Sequence, residues 1–392
     1  MKLGKWLDTV SIIIIIGAMV GLMTNLNIPI VGLVNKVQLG LYILVFVRIV
    51  KGNYKLNYYS FFLIGIFIIY CLFNSMFSQN INQSIETLVY LGLNTMYAFF
   101  LYERYGVEGF ISIMVRALSI IMISSFVLCI ILPDNFVYYD INYDKYVWKG
   151  VFTHKNTLGN YSALAILFII SNYKSKNHTM NYIFIVISIM NLLMSNSNTP
   201  LIALLGAIVY MIIRKTLKKD ILGVVSCISI LISYIYMLKY DLIMNILLNF
   251  NIIVSDSGRY GIFKSIIDLI KQRLFLGYGI GSCWMEGSYT YNVIYNIFGF
   301  NPNSAHNGFL DIVFNIGFIG FGLYIIILMS IVILNKKYCG ENYKFTSILI
   351  FLLVLSIFES TLSNFKGIYW VIQMFFLFSL CKNNIKSRYQ KI

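Results

Sequence analysis

Charge is what this chain has least of. Only 11% of its 392 residues are Asp, Glu, Lys or Arg, whereas a soluble domain keeps about a quarter of its residues charged. Hydrophobic residues supply 59%, and the combination excludes the two or three soluble domains that the length alone would allow. Histidine is also scarce: His154, His178 and His306 stand far apart. With so few imidazoles and no dense carboxylate cluster, no metal-ligand spacing exists and no metal is expected. The six cysteines, from Cys71 to Cys381, include no close pair, which argues against a metal site or a disulfide framework. Nothing resembles a nucleotide-binding loop, and no segment on the expected cytoplasmic side is long enough for a nucleotide-binding domain, so no cofactor is expected.

What remains is a series of apolar runs with the charges gathered between them. A helix needs about 20 mostly apolar residues to cross the hydrocarbon, because lipid offers the backbone no hydrogen-bond partner. The runs predict an all-α polytopic membrane protein with about twelve transmembrane helices. They lie near 10–25, 30–47, 57–77, 84–101, 109–132, 152–172, 180–195, 199–213, 221–238, 307–334, 345–358 and 366–381. The first run follows Lys2 and Lys5 but has no small-residue cleavage motif after it, so it reads as a span and not a signal peptide.

Charge then gives the helices a direction. With the N-terminus in the cytoplasm, 19 of the 30 basic residues fall in inner segments, and the short outer loops near 26–29, 78–83, 196–198 and 359–365 hold none. This is a positive-inside pattern for a bacterial cytoplasmic (inner) membrane protein with both termini cytoplasmic. The net charge of +15 is therefore a topology signal with an attraction to membrane lipid, and nucleic acid is not an expected partner. The organisation expected is nine spans over 1–238, a large extracytoplasmic loop over 239–305, and three spans with a cytoplasmic tail over 306–392. In the loop, Phe263, Ile266, Ile267 and Ile270 recur at helical spacing between Lys264, Asp268 and Lys271. That is an amphipathic helix, lying against the membrane or against the protein's own upper surface. Gly277, Gly279 and Gly281 after it allow tight turns or close approach of backbone to a ligand.

Sorted by side, the unusual polar residues crowd the outer end. His154, Lys155 and Asn156 open the sixth span, Ser195 to Pro200 form an outer turn, Ser257 and Arg259 stand in the long loop, His306 and Asn307 open the tenth span, and Glu359 ends the eleventh. Each has a plain structural reading as a helix cap or an interfacial anchor. Arg259 is the less ordinary case, because a cation at a helix start opposes the helix dipole unless an anion is held there. Together these groups suit an activated, membrane-dissolved substrate such as a glycan on a polyprenyl diphosphate. Cations at Arg259 and Lys155 would meet the diphosphate, and His306 would take the acceptor's proton as general base.

Four stretches carry a family resemblance: Gly150 to Gly159 (Gly-Val-Phe-Thr-His-Lys-Asn-Thr-Leu-Gly), Ser257-Gly258-Arg259, Leu276 to Gly281 (Leu-Gly-Tyr-Gly-Ile-Gly), and His306 to Leu310 followed by Gly317 and Gly320. In order and spacing they resemble the O-antigen ligase and Wzy-type polysaccharide polymerase superfamily, and Glu359 extends the likeness. The resemblance implies a glycosyltransferase in which Arg259 contacts the donor diphosphate and His306 serves the acceptor as the catalytic residue. With them, Lys155 and His154 are expected to bind the donor, Asn156, Asn307, Ser257 and Glu359 to support them, and the reaction to need no metal. It implies a polyprenyl-diphosphate-linked glycan donor, a glycan acceptor and other polysaccharide-assembly proteins as partners. Ligases of this family often carry an arginine in the Ser-rich turn; here Ser195 to Thr199 has Asn196 and Asn198 and no arginine. Polymerisation of lipid-linked repeat units is the expected reaction, with transfer of a finished glycan to another acceptor as its rival and transport of lipid-linked sugars as the alternative of a different kind.

Overall fold

A computed structural model describes residues 2–29, 31–52, 54, 58–141, 144–172, 178–217, 221–238, 259–300, 302–338 and 343–389. Ser257 and the rest of 239–258 lie outside them. The chain begins with α1 (Lys2–Ile15) and α2 (Ala18–Asn25), bent by 59° at Gly17, whose φ of 83° only glycine adopts readily. Next come α3 (Val31–Val50), α4 (Tyr58–Met76) and α5 (Ile81–Ile131). A one-turn α6 (Pro133–Phe136) leads into strands β1 (Val137–Asp140) and β2 (Lys145–Trp148). The bundle resumes with α7 (Lys155–Ser171), α8 (His178–Met194), α9 (Asn198–Leu217) and α10 (Leu222–Leu238). Two helices outside the apolar runs follow, α11 (Arg259–Gln272) and α12 (Tyr289–Phe298), and then α13 (Gly308–Tyr338), α14 (Tyr343–Leu355) and α15 (Ile368–Tyr389).

Among the described residues, five helices are long and apolar enough to cross a bilayer, and six if the bent α1–α2 pair is one span. The protein is thus a multi-pass membrane protein built of helices. Four other apolar helices, within α8, α10, α14 and α15, are shorter than that criterion. The fourth and fifth expected spans form one element, α5, broken at Gly106 (φ 61°, ψ −171°). The chain folds back there: Tyr102 and Phe110, on either side of the break, both pack on Phe375. Both ends of α5 consequently reach the same end of the bundle, called here the site end.

Lipid removes the usual hydrophobic drive between helices, so packing and polar contacts must hold the bundle. Helix α15 runs through its centre. Phe375 stacks on Phe110 at 3.8 Å, Phe376 stacks on Phe345 at 4.2 Å, and Trp370 Nε1 donates to Thr95 Oγ1 at 2.9 Å. Tyr324 of α13 donates to Gln373 Oε1 at 2.6 Å. Large apolar side chains face outward on α4, where Phe62 and Ile69 are 65% and 68% exposed, as lipid contact requires. The opposite end of the bundle is closed by Asp8. Its buried carboxylate takes Arg48 Nη1 at 3.3 Å and the Tyr105 hydroxyl at 2.5 Å.

One expectation changes, and one open alternative is decided. The chain is not all-α, since β1 and β2 pair antiparallel, with Tyr139 opposite Tyr146 in an edge-to-face contact. Strands of four residues are too short to show a period in the sequence. The amphipathic helix α11 packs on the protein itself: Ile262, Phe263, Ile266, Leu269 and Ile270 join Tyr278, Ile294, Leu310 and Phe314 in a second core, while Lys264 and Asp268 stay exposed.

That second core is fastened to the bundle by the glycine-rich turn. Asn74 of α4 donates to Leu276 O at 2.6 Å and accepts from Ile280 N, while Asn315 Oδ1 accepts from Gly281 N at 2.8 Å. A Cβ at Gly279 would meet Ser78 Oγ at 2.2 Å, and one at Gly281 would meet Thr87 Oγ1 at 2.2 Å. The close approach that these glycines allow is therefore to α5 and the segment before it. At Gly317, where α13 kinks with φ 65°, the backbone of Phe275 lies where a Cβ would be, 2.2 Å away.

Candidate functional site

Four segments distant in sequence meet at the site end: the start of α7, the 195–197 turn, the 303–307 segment and the 359–366 segment. His154 is the N-cap of α7, its Nδ1 accepting from Asn156 N at 3.2 Å. The next turn places Asn156 so that its Nδ2 donates to Glu359 Oε1 at 2.9 Å, while its Oδ1 accepts from Ser197 Oγ at 3.1 Å. The close fit of the 195–200 turn on α7 depends on Gly159, where a Cβ would meet Pro200 and Ser195 at about 3 Å. The other carboxylate oxygen, Glu359 Oε2, lies 3.9 Å from His306 Nδ1. A Ser197–Asn156–Glu359–His306 relay results, in which the last contact is at ion-pair range and longer than a hydrogen bond.

The backbone holds His306 in an unusual conformation. Its φ of 49° is left-handed, which is uncommon for a residue with a Cβ. Neighbours fix it there. Asp311 Oδ1 accepts from Ala305 N at 3.2 Å and from Trp284 Nε1 at 2.9 Å, and Asp311 Oδ2 accepts from Ser363 Oγ at 3.2 Å. Asn307 caps the start of α13, accepting from Leu310 N at 2.9 Å and donating to Ile357 O and Ser233 Oγ. Strain held in place by surrounding bonds is a mark of functional positions. The His306 ring is 29% exposed, yet its Nδ1 atom is buried with no hydrogen-bond partner.

Beside the relay is a cavity of about 520 Å³, with Glu359, Asn160, Asp311, Asn315, Asn364 and Lys366 in its wall. Trp284, Tyr161 and Tyr369 supply ring surface, and Tyr161 and Tyr369 stack at 5.5 Å. Amides, hydroxyls and aromatic faces are the groups that bind sugars, which present hydroxyl edges and apolar ring faces. Asn160 Oδ1, a hydrogen-bond acceptor, is buried and takes no bond from the described residues.

The structure thus brings together His154, Asn156, Glu359 and His306. Lys155 is placed otherwise: its Nζ lies 2.5 Å from Asp140 Oδ2, both residues buried, so a phosphate reaching it would have to displace a carboxylate. Burial lowers the basicity of His154 below the usual imidazole range, although Glu359 pulls the other way, so at neutral pH its Nδ1 can serve as the cap acceptor. Arg259 is the first residue of α11. Its side chain, like Ser257, is outside what the structure describes. Asn160 and Lys366 were not singled out in the sequence. Asn160 is four residues after Asn156 and so shares its helix face, a signal that was available. Lys366 was readable as an ionisable group at the mouth of an apolar run.

No curated protein matches the chain. A family model described as O-Antigen ligase (Wzy_C) matches residues 183–325, a little over a third of the length. That stretch runs from α8 through the glycine-rich turn and His306 into α13, and it leaves out Asn156 and Glu359, which complete the relay, and the cap residue His154. Over residues 183–325 the chain is similar to the O-antigen ligase family, and so to membrane proteins of polysaccharide processing.

Proposed function

We propose that the protein is a polysaccharide polymerase of the cytoplasmic membrane, with twelve spans and the site end at the outer face. It transfers a growing glycan from polyprenyl diphosphate to the next lipid-linked repeat unit. The observation that carries this reading is His306, whose Nδ1 makes no hydrogen bond and lies 3.9 Å from Glu359, a residue in the wall of a sugar-sized polar cavity. An acceptor hydroxyl attacks the anomeric carbon and the bond from that carbon to the phosphate oxygen breaks. The polyprenyl diphosphate leaves with the bonding electrons. The acceptor's proton passes to His306 Nε2, and the Glu359 carboxylate, fixed by Asn156, stabilises the imidazolium formed. Arg259 serves the leaving diphosphate.

A second reading is ligation of a finished glycan to an acceptor that is not on polyprenyl, favoured by the description of the family that matches. Its counterweight is the turn at Ser195 to Thr199, which carries no arginine and gives Ser197 to Asn156. Purified protein in liposomes, supplied with a defined lipid-linked repeat unit, separates the readings. Polymerisation yields a ladder of longer glycans. Product only on a foreign acceptor favours ligation, and movement of the lipid across the bilayer without a new glycosidic bond favours transport.

A further inference from the structure

A second cleft, of about 380 Å³, opens between the α1–α2 break, α3 and the first arm of α5. One side is apolar, from Ile14, Ile15, Ile16 and Val20, and the other carries Asn35, Gln38, Glu86 and Tyr90. It meets the sugar-sized cavity along a shared wall of Ile16, Thr157 and Lys366. Its outer boundary, α3, is the most thinly packed of the long apolar helices, only 17% of its apolar window being buried. The cleft therefore lies between the bundle and a helix that faces lipid.

Among the described residues, Lys366 is the one cation lining either cleft. Its Nζ lies 2.9 Å from Glu86 Oε1 and 5.8 Å from the centre of the Tyr90 ring. The Lys366 side chain is 34% exposed and that of Glu86 53%. An ion pair this open is weak, and a diphosphate with more negative charge can replace the carboxylate. Lys155 offers no such exchange, being buried against Asp140.

We infer that this cleft seats the carrier lipid, its isoprenoid chain along the apolar face of α1–α2 beneath α3, with Lys366 releasing Glu86 to hold the diphosphate where the two clefts meet. The glycan then extends into the polar cavity toward His306, and the hydrocarbon tail leads out past α3 into the bilayer. This rests on the glycan-transfer reading for what the diphosphate carries, but the binding itself is testable without turnover.

The test is equilibrium binding of radiolabelled polyprenyl diphosphate to the full-length protein in nanodiscs. Lys366→Gln should weaken binding by about tenfold or more, as expected for a charge-assisted contact, while Lys366→Arg retains it. Glu86→Gln should bind at least as tightly as wild type. Val20→Trp, which fills the cleft, should weaken polyprenyl diphosphate binding with Lys366 intact. Inorganic diphosphate should compete poorly, having no chain for the apolar wall, and phosphatidylglycerol should not compete. Wild-type affinity in Lys366→Gln, or equal competition by phosphatidylglycerol, overturns the assignment. Lys366→Gln protein that binds and transfers normally sinks the cleft and leaves the transfer reading standing. Lys366-dependent binding in a protein that never forms a glycosidic bond keeps the cleft and removes the transfer reading.

Discussion

Two polar clusters sit at opposite ends of this bundle, and they are completed to different degrees. Around Asp8, one carboxylate oxygen takes Arg48, the other takes Tyr105, and the backbone oxygen takes the Tyr97 hydroxyl at 3.1 Å. At the site end, Glu359 is anchored by Asn156 on one oxygen only, His306 Nδ1 has no hydrogen bond, and Asn160 Oδ1 has none. Buried polar atoms are almost always satisfied in folded proteins. The cluster that is satisfied closes its end, whereas the less complete one lies beside a cavity.

The strongest way to break that comparison is to remove the central group of each cluster. His306→Ala should lower glycan transfer by about a hundredfold to ten-thousandfold, the range for a lost general base, with the thermal midpoint in detergent little changed. A ladder assay on lipid-linked repeat units reads the first quantity and a melting curve the second. Unchanged transfer would show that the open cluster is open for another reason. Glu359→Gln keeps the bond from Asn156 but removes the charge facing His306. Its expected loss is smaller, about tenfold to a hundredfold in the same assay.

Asp8→Ala should do the reverse. It strips Arg48 and Tyr105 of their acceptor and should cost about 2–3 kcal/mol, below the full value for a buried pair because Arg48 is partly exposed. Transfer per folded molecule should remain near wild type. A large loss of specific activity in well-folded Asp8→Ala protein would mean that the two ends are coupled through the bundle and are not separate devices.

The open cluster was more legible in the sequence than the architecture around it. His154, Asn156, His306 and Glu359 each lie at a helix end, and alternation of charge assigned those ends to one side, so their convergence followed without any knowledge of contacts. The function of Lys155 could not be read that way. Its partner Asp140 comes from a hairpin whose strands are too short to leave a period, so the carboxylate beside this expected phosphate ligand left no signal in the sequence. The glycines at 277, 279 and 281 had the expected freedom, but what approaches them is fixed by Asn74 and Asn315, which tertiary folding alone brings there. Span length was the least legible quantity. The reversal at Gly106 falls in the interval left between the fourth and fifth expected spans, whereas the apolar helices within α8, α10, α14 and α15 are shorter than a full span.

The smallest expected effect tests whether His154 belongs with the closed groups or the open ones. Its Nδ1 accepts the Asn156 N–H, so protonation would set one N–H against another at the start of α7. Burial already holds this imidazole below its ordinary value, which is about 6.5. Between the lowered value and about 6.5 the unfolded chain binds more protons at this site than the folded one, so stability rises with pH there. The contribution is complete above that window and is lost as pH falls through the folded value. His154→Asn keeps a capping acceptor that does not titrate. The difference in melting temperature between wild type and His154→Asn should therefore shift toward the variant on acidification from about pH 7 to about pH 5. Other titrating groups cancel in that difference. If it is flat across the range, His154 is not held neutral as a cap, and it joins His306 as an imidazole available to substrate.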